Sequence, residues 1–364
     1  MTQTRPSPIS SQPTLDVAAV FPAQAMAYPE FRYMGSKHRL LPWIHAVLSE
    51  LTFETAADPF SGSGSVSYLL KAMGKSVASS DFLNFPNVIS SALVANQSVR
   101  ISDDLAERLA EPGQARRRFI AETFAGIFFA PDDLAFLDLI WERVDDLGDR
   151  FTRDLVLTSL IRAAMKRQSR GVFTVGNLPD GSQRYDDGRR DMRLSLREHF
   201  VEQVQVMNRV VFDGPRCVSE RHDALAPLAG PVDLVYLDPP YVPRSDDNCY
   251  MKRYHFLEGL SAYWRGMEIL PESKVKKLAK PATPFSHRKT SIEAFRTLFR
   301  SYADSTVVLS YSSNGFPDLD VLVGLLRETK RHVEVDTRAH RYHFGTHHAV
   351  QRSQTTEYLI VGTA

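Results

Sequence analysis

Cysteine is nearly absent from this chain: Cys217 and Cys249 are the only two among 364 residues. That is too few for a disulfide framework or a cysteine-built zinc site, and it suits a reducing, cytoplasmic setting. A dominant charge is missing too, since 44 Lys and Arg stand against 43 Asp and Glu, a formal net charge of +1. A uniformly basic nucleic-acid coat is therefore excluded, and any such surface has to come from local clustering. No run of about 18 apolar residues occurs, so no membrane span is expected. The amino terminus lacks the basic start and apolar block of a signal peptide. What is present, 43% hydrophobic residues, allows a sizeable core in one large domain or two.

Residues 1–28 are rich in Pro, Ser, Thr and Gln and read as a flexible leader. The first sharp feature is Tyr33-Met34-Gly35-Ser36-Lys37. Gly35 permits a tight turn, Ser36 can cap a helix, and Leu40, Leu41, Ile44 and Leu48 follow at helical spacing. A turn feeding a helix start suits an anion, with Lys37 as a point charge, although the same residues suit an ordinary capped helix. Next, Asp58-Pro59-Phe60-Ser61-Gly62-Ser63-Gly64 reads as a strand end, a glycine loop and a helix start. It lacks both the Lys-Ser/Thr of a triphosphate loop and the full pattern of a dinucleotide fold. The acid before the glycines repels phosphate and suits a ligand with cationic groups. About 20 residues on, Val77 to Asp81 reads as a second strand ending in an acid placed for ribose hydroxyls, or in a solvated turn.

The span 93–204 turns mainly helical. Within it Arg162, Lys166, Arg167 and Arg170 gather at a helix-to-loop transition, followed by Arg184, Arg189 and Arg190 in a loop interleaved with Asp180, Asp186, Asp187 and Asp191. These residues suit phosphate contact or, equally, a charged face neutralised by its own acids. Val210, Val211, Phe212 and Val218 suggest a third strand region leading to Asp223, which reads as a ligand acid or as a helix cap. Asp233 to Leu237 is a short apolar strand, and two prolines stop it at Asp238-Pro239-Pro240-Tyr241. An acid and a ring are thus presented at a strand's carboxyl end, where ligands bind in open α/β sheets. Beyond it, the stretch from Tyr250 to Trp264 is dense in aromatics and begins with cations, Lys252 among them. Lys274, Lys276, Lys277, Lys280, Arg288 and Lys289 form the most lopsided basic stretch of the chain. A strand from Ser305 to Tyr311, a helix from about Leu319 to Thr329 and two more strands, near His332 to Asp336 and Thr356 to Val361, close the chain, with an antiparallel edge expected. His343, His347 and His348 match no metal-ligand spacing, so no metal is expected.

Taken in order, these segments resemble the α-group, Dam-like DNA adenine-N6 methyltransferases. Tyr33-Met34-Gly35-Ser36-Lys37 looks like the family's amino-terminal motif for S-adenosylmethionine (AdoMet). The segment Asp58 to Gly64 looks like its glycine loop, Asp81 like the acid after its second strand, and Asp238-Pro239-Pro240-Tyr241 like its catalytic tetrapeptide. The resemblance spans roughly residues 31–361. It implies an α/β fold, a Rossmann-like AdoMet-dependent methyltransferase sheet formed by residues 29–92 and 205–364, with 93–204 inserted as a helical target-recognition domain. It implies methyl transfer to N6 of an adenine flipped out of double-stranded DNA. Asp238 and the Pro239 carbonyl would accept the amino hydrogens, Pro240 would stiffen the turn, and Tyr241 would stack on the base. Asp58, Phe60, Gly62 and Gly64 would hold the methionine end of AdoMet, Asp81 the ribose and Asp223 the adenine, with Tyr33 and Gly35 beside them. Lys37 is open between the AdoMet carboxylate and the substrate. A cognate restriction endonuclease is an open partner. Cytosine-N4 methylation and a non-catalytic DNA-binding regulator are the rival readings.

Overall fold

The computed structural model describes residues 20–178, 182, 186–226, 230–242, 249–281, 283–341 and 354–364. Arg184, the His343, His347 and His348 cluster, and residues 1–19 of the leader lie outside the described residues. Seven strands form one sheet: β1 (Thr55–Asp58), β2 (Ser76–Asp81), β3 (Val218–Arg221), β4 (Leu234–Leu237), β5 (Thr306–Ser312), β6 (His332–Arg341) and β7 (Gln354–Thr363). Their order is β3-β2-β1-β4-β5-β7-β6. The first five are parallel, and β7 runs antiparallel between β5 and β6. This mixed α/β sheet is consistent with an AdoMet-dependent methyltransferase fold.

The strands behave as parallel strands covered on both faces should. All four residues of β4 are buried, and they divide between two apolar clusters: Leu234 and Tyr236 belong to one, Val235 and Leu237 to the other. Pro239 and Pro240 then end the strand, because neither can donate to a sheet ladder. The parallel register aligns the carboxyl ends of β1, β2 and β4, so Asp58, Asp81 and Asp238 reach the same edge of the sheet.

Between β2 and β3 the chain is helical, including Asn84–Ser90, Pro131–Asp145, Arg150–Arg167 and Leu196–Val210. The strand expected near Val210 is instead the end of the last of these helices. Phe200, Val204, Met207 and Val210 recur every three or four residues on its buried face, and a Ser195–Glu198 capping box starts it. Tertiary burial along that stripe outweighs the strand preference of Val210 and Val211. The helix also runs across position 204, and Asn84–Ser90 leads directly into a π-helical turn, Ser91–Ala95, that crosses position 92.

Among the described residues, the helical span shares its apolar core with the helices that flank the sheet. A single apolar cluster joins Ile44 and Leu69 of the sheet-flanking helices to Phe124, Trp141 and Leu160 of the helical span. Its densest point is Phe256, fully buried on the helix Tyr250–Leu260. The Phe256 ring lies 4.9 Å from Phe124, 5.0 Å from Phe173 and 5.3 Å from Trp264. Among the described residues, no helix is long and apolar enough to cross a membrane.

Removing that ring leaves a cavity enclosed by other aromatics that cannot easily collapse. Phe256→Ala is expected to lower unfolding free energy by about 3–5 kcal/mol, read as a lower urea midpoint at an unchanged denaturant slope.

Candidate active site

The loop after β1 is folded by its glycines and by β2. Ser61 N–H donates to the Ser80 carbonyl at 2.9 Å, and Gly62 N–H donates to the Asp81 carboxylate at 3.0 Å. Gly64 has φ +73°, and a Cβ there would stand 2.8 Å from the Tyr28 hydroxyl. Gly62, at φ +49°, is covered by the Tyr33 ring, 3.0 Å from where its Cβ would be. Both positions therefore need glycine for conformation and for space. The helix Ser65–Ala72 leaves this loop with its free amino end toward the cleft.

Asp58 closes β1 beneath the loop. One oxygen accepts from the Ser67 hydroxyl at 2.6 Å, while Oδ1 is buried and makes no hydrogen bond among the described residues. Burial pushes its carboxyl up to about 7, against the opposing pull of Ser67. Asp81 is pushed up to about 7 by burial as well. It remains partly exposed, and two backbone N–H groups, from Gly62 and Leu83, hold it in place. Asp223 lines the same cleft, with one oxygen taken by the Leu225 N–H at 3.0 Å.

Facing these acids, Gly35 turns the amino-terminal loop at φ +76° and sends Lys37 inward, where it is 3% exposed. Its ammonium donates to both Asp238 oxygens, at 2.8 and 2.7 Å, and to the Gly35 carbonyl at 2.9 Å. Burial raises the Asp238 carboxyl, and the Lys37 charge opposes that rise. The Tyr241 ring packs edge-on against Tyr311 at 4.6 Å, with the Lys37 ammonium 5.5 Å from its centroid. Tyr33, Gly35, Lys37, Asp58, Phe60, Gly62, Asp81, Asp223, Asp238 and Pro240 all line one cleft; Pro281, Thr283 and Phe285 form its far wall.

Several residues that fix this arrangement carry no motif. Arg32 donates to the carbonyls of Met165, Lys166 and Gln168 at 2.9–3.1 Å, capping the end of Arg150–Arg167, and pairs with Asp191 at 2.6 Å. Gly171 leaves room for it: a Cβ there would lie 2.6 Å from the Arg32 Cβ. The Tyr254 hydroxyl accepts from Met34 N–H at 2.7 Å, and its ring stacks on Tyr33 at 5.2 Å. Glu258 caps the helix Asn84–Ser90 by accepting from the N–H groups of Asn84 and Phe85. An arginine just before the Tyr33 motif and acids or tyrosines at helical spacing after Asp238 are the only sequence signals these leave.

The cleft joins a glycine loop, a buried acid and a lysine-bound acid behind two prolines, and the comparisons with known proteins bear on that combination. The family model described as D12 class N6 adenine-specific DNA methyltransferase matches residues 33–311. The chain belongs to that family. It is 26% identical over 327 residues to the type II methyltransferase M2.HphI of Haemophilus parahaemolyticus, covering 86% of this chain and 92% of the relative. It is also 23% identical over 330 residues to the modification methylase LlaI of Lactococcus lactis subsp. lactis, covering 85% of this chain and 51% of that protein. It is an adenine-specific DNA methyltransferase, and it acts on adenine in DNA, as the family description states.

The cations of the methyltransferase divide into two groups. In the helical span they are engaged internally: Lys166 pairs with Asp191 at 2.9 Å and Arg167 with Asp133 at 3.2 Å. Arg162 donates to Gln203, Arg189 to Asp187 and Ser169, and Arg190 to Glu202. Arg170, Lys252 and Lys280 also have partners. Lys274 and Lys289 are exposed, Lys276 and Lys277 partly so, and Arg288 lies over the Phe316 ring at 4.7 Å. Among the described residues, no cluster of three or more His, Cys, Asp or Glu side chains is arranged to hold a metal ion.

Because Asp58 titrates higher in the folded protein than in the unfolded chain, the folded state binds its proton more tightly. That stabilisation is fully present below the ordinary carboxylate range near 3.8 and is lost as pH rises toward about 7. Asp58→Asn is expected to flatten this decline, so that urea midpoints of the ligand-free variant at pH 5 and pH 7 lie closer together than those of the parent.

Proposed function

We propose that this methyltransferase takes its methyl group from AdoMet bound in the cleft and delivers it to an adenine turned out of double-stranded DNA beside Asp238. The observation that carries the reading is the Lys37–Asp238 pair in the cleft that Asp58, Asp81, Asp223 and the glycine loop also line. The donor set suits AdoMet. Asp58 Oδ1 is a buried acceptor without a donor, and Gly62 and Gly64 leave the backbone open to close approach. The acids Asp81 and Asp223 suit ribose and adenine respectively, and they disfavour a phosphate ligand. When bound, AdoMet supplies a methyl group on a positively charged sulfur, open to attack by a nitrogen lone pair.

The adenine amino group is a poor nucleophile because its lone pair is spread into the ring. Asp238 and the Pro239 carbonyl would accept its two hydrogens, drawing the nitrogen toward tetrahedral geometry and concentrating the lone pair. Lys37 does not have to leave for this to happen: a carboxylate offers about four lone-pair sites, and the ammonium takes two. Burial raises the Asp238 carboxyl, and the Lys37 charge opposes that rise, favouring the ionised form the reaction needs. Tyr241, already held by Tyr311, would take the face of the base. Positioning base and donor in line then supplies much of the rate.

On this reading the helical span 93–204 contributes to target recognition, and Lys274 and Lys289 contact phosphates. The relatives' names, type II methyltransferase and modification methylase, support a place in restriction–modification with a cognate endonuclease as partner. Such DNA work suits a cytoplasmic enzyme.

Two variants test the chemistry. Asp238→Ala is expected to keep AdoMet binding, measured by calorimetry, and to lose methyl transfer to DNA by several orders of magnitude; near-parental transfer rules out the role. Since transfer needs ionised Asp238, activity falls as pH drops through its pKa. Lys37→Met, by removing the charge that opposes burial, is expected to move that acid limb of the rate profile to higher pH. An unmoved limb counts against the role of Lys37.

A further inference from the structure

A second concavity lies away from the cleft, where three segments meet. Gly126 and Ile127 form one side, Thr174–Asn177 the floor, and the turn Leu270–Lys277 the other side. The turn is held as a small hairpin: Ile269 and Leu278 form an antiparallel bridge, Leu270 N–H donates to the Lys277 carbonyl at 2.8 Å, and Ala279 N–H to the Glu268 carbonyl at 3.1 Å. Gly176 is the point of contact, with the Ile127 carbonyl 3.2 Å and Val275 3.7 Å from where its Cβ would be. Asn177 N–H is fixed on the Ile127 carbonyl at 2.7 Å. These contacts tie the two sides of the groove together.

Its polar side chains are not spent in the same way. Among the described residues, the side chains of Thr174, Asn177, Lys274 and Lys277 make no hydrogen bond or ion pair. The contrast with Lys166, Arg167 and Arg190, each locked to a carboxylate, is direct. From Lys274 to Lys289 the chain holds seven Lys, Arg or His residues and no acid, and Glu272 just before it is an exposed acid in the groove lining. The same stretch leaves the groove at Lys277 and reaches the wall of the catalytic cleft at Pro281. The two concavities are thus joined along one continuous segment. His255 fixes their spacing from below: it sits on the helix whose first residues, Tyr250 and Met251, line the cleft, and its ring bonds the Phe173 carbonyl at 2.7 Å beside Thr174.

We propose that this groove is where the enzyme reads the DNA sequence flanking the target adenine, with Asn177 and Lys277 addressing base edges and Lys274 a phosphate at the rim. A carboxamide carries a donor and an acceptor side by side, the pattern that matches adenine N6 and N7, and an ammonium matches guanine O6 and N7. Exposed cations at the rim position the duplex without reading it. Sequence reading then rests on the segment after the catalytic tetrapeptide together with the end of the helical span. The inference depends on the proposed function, since it takes double-stranded DNA as the ligand and the cleft as the place of transfer.

The test uses the full-length enzyme, AdoMet and a library of duplexes with randomised positions, scored by sequencing of modified adenines. The wild type is expected to modify adenine within one fixed motif. Asn177→Ala and Lys277→Ala are each expected to lose discrimination by roughly ten-fold or more at one motif position, leaving the others intact. Lys274→Ala is expected to weaken binding across all sequences and to reduce the slope of log affinity against log salt by about 1. Thermal melting of each variant reports whether it folds. If Asn177→Ala and Lys277→Ala fold and modify the same motif with the same discrimination at every position, the groove assignment is overturned while the methyltransferase reading stands. A wild type that modifies no adenine in any duplex overturns both.

Discussion

The ion pair between Lys37 and Asp238 is the constraint on which the rest of the site depends. The two residues are 201 positions apart. Their contact closes the amino-terminal loop over the carboxyl edge of the sheet and makes one cleft out of the ends of β1, β2 and β4. Burial penalises an unpaired charge on either side chain, and the contact between the two offsets part of that penalty. Each makes the other tenable. The cost of taking both out of water is offset by a bidentate contact and by the Gly35 carbonyl, which takes a third donor.

The other acids of the cleft have no such cation. Asp58 faces inward with one oxygen unpartnered, and Asp81 has only backbone donors and the field of Glu258 nearby. Among the described residues lining the cleft, Asp58 and Asp81 are thus acids held up by burial, while Lys37 is taken by Asp238. A cationic ligand entering beside these acids relieves the electrostatic cost that burial imposes on Asp58. Binding and folding stability are coupled through the same carboxylate.

The meeting of strand ends at one cleft was legible in the sequence wherever the chain had to stop or bend. Two prolines after Leu237, and glycines at 62 and 64, mark breaks that only strand ends and tight loops need, so the acids beside them could be assigned to one edge of a sheet. The partner of Lys37 was not legible, because pairing across 201 residues leaves no local pattern. Val210 and Val211 suggested a strand from their branching, but burial of Val204, Met207 and Val210 on one stripe decides for helix. The cations from Arg162 to Arg190 illustrate a further limit. Charge type can be read from a sequence, whereas the acids that consume it cannot always be; Asp191 takes both Arg32 and Lys166 from opposite sides.

Arg32 has a consequence for how such enzymes can be recombined. Its guanidinium caps a helix of the helical span while its neighbours Tyr33 and Gly35 line the catalytic cleft, and Gly171 is shaped to receive it. The helical span and the catalytic sheet thus lack the independence of beads on a string. A chimera that exchanged residues 93–204 with those of a relative would keep this contact only if the incoming segment supplied counterparts of Asp191 and Gly171. An exchange of the helical span therefore has to carry both sides of the Arg32–Gly171 contact with it.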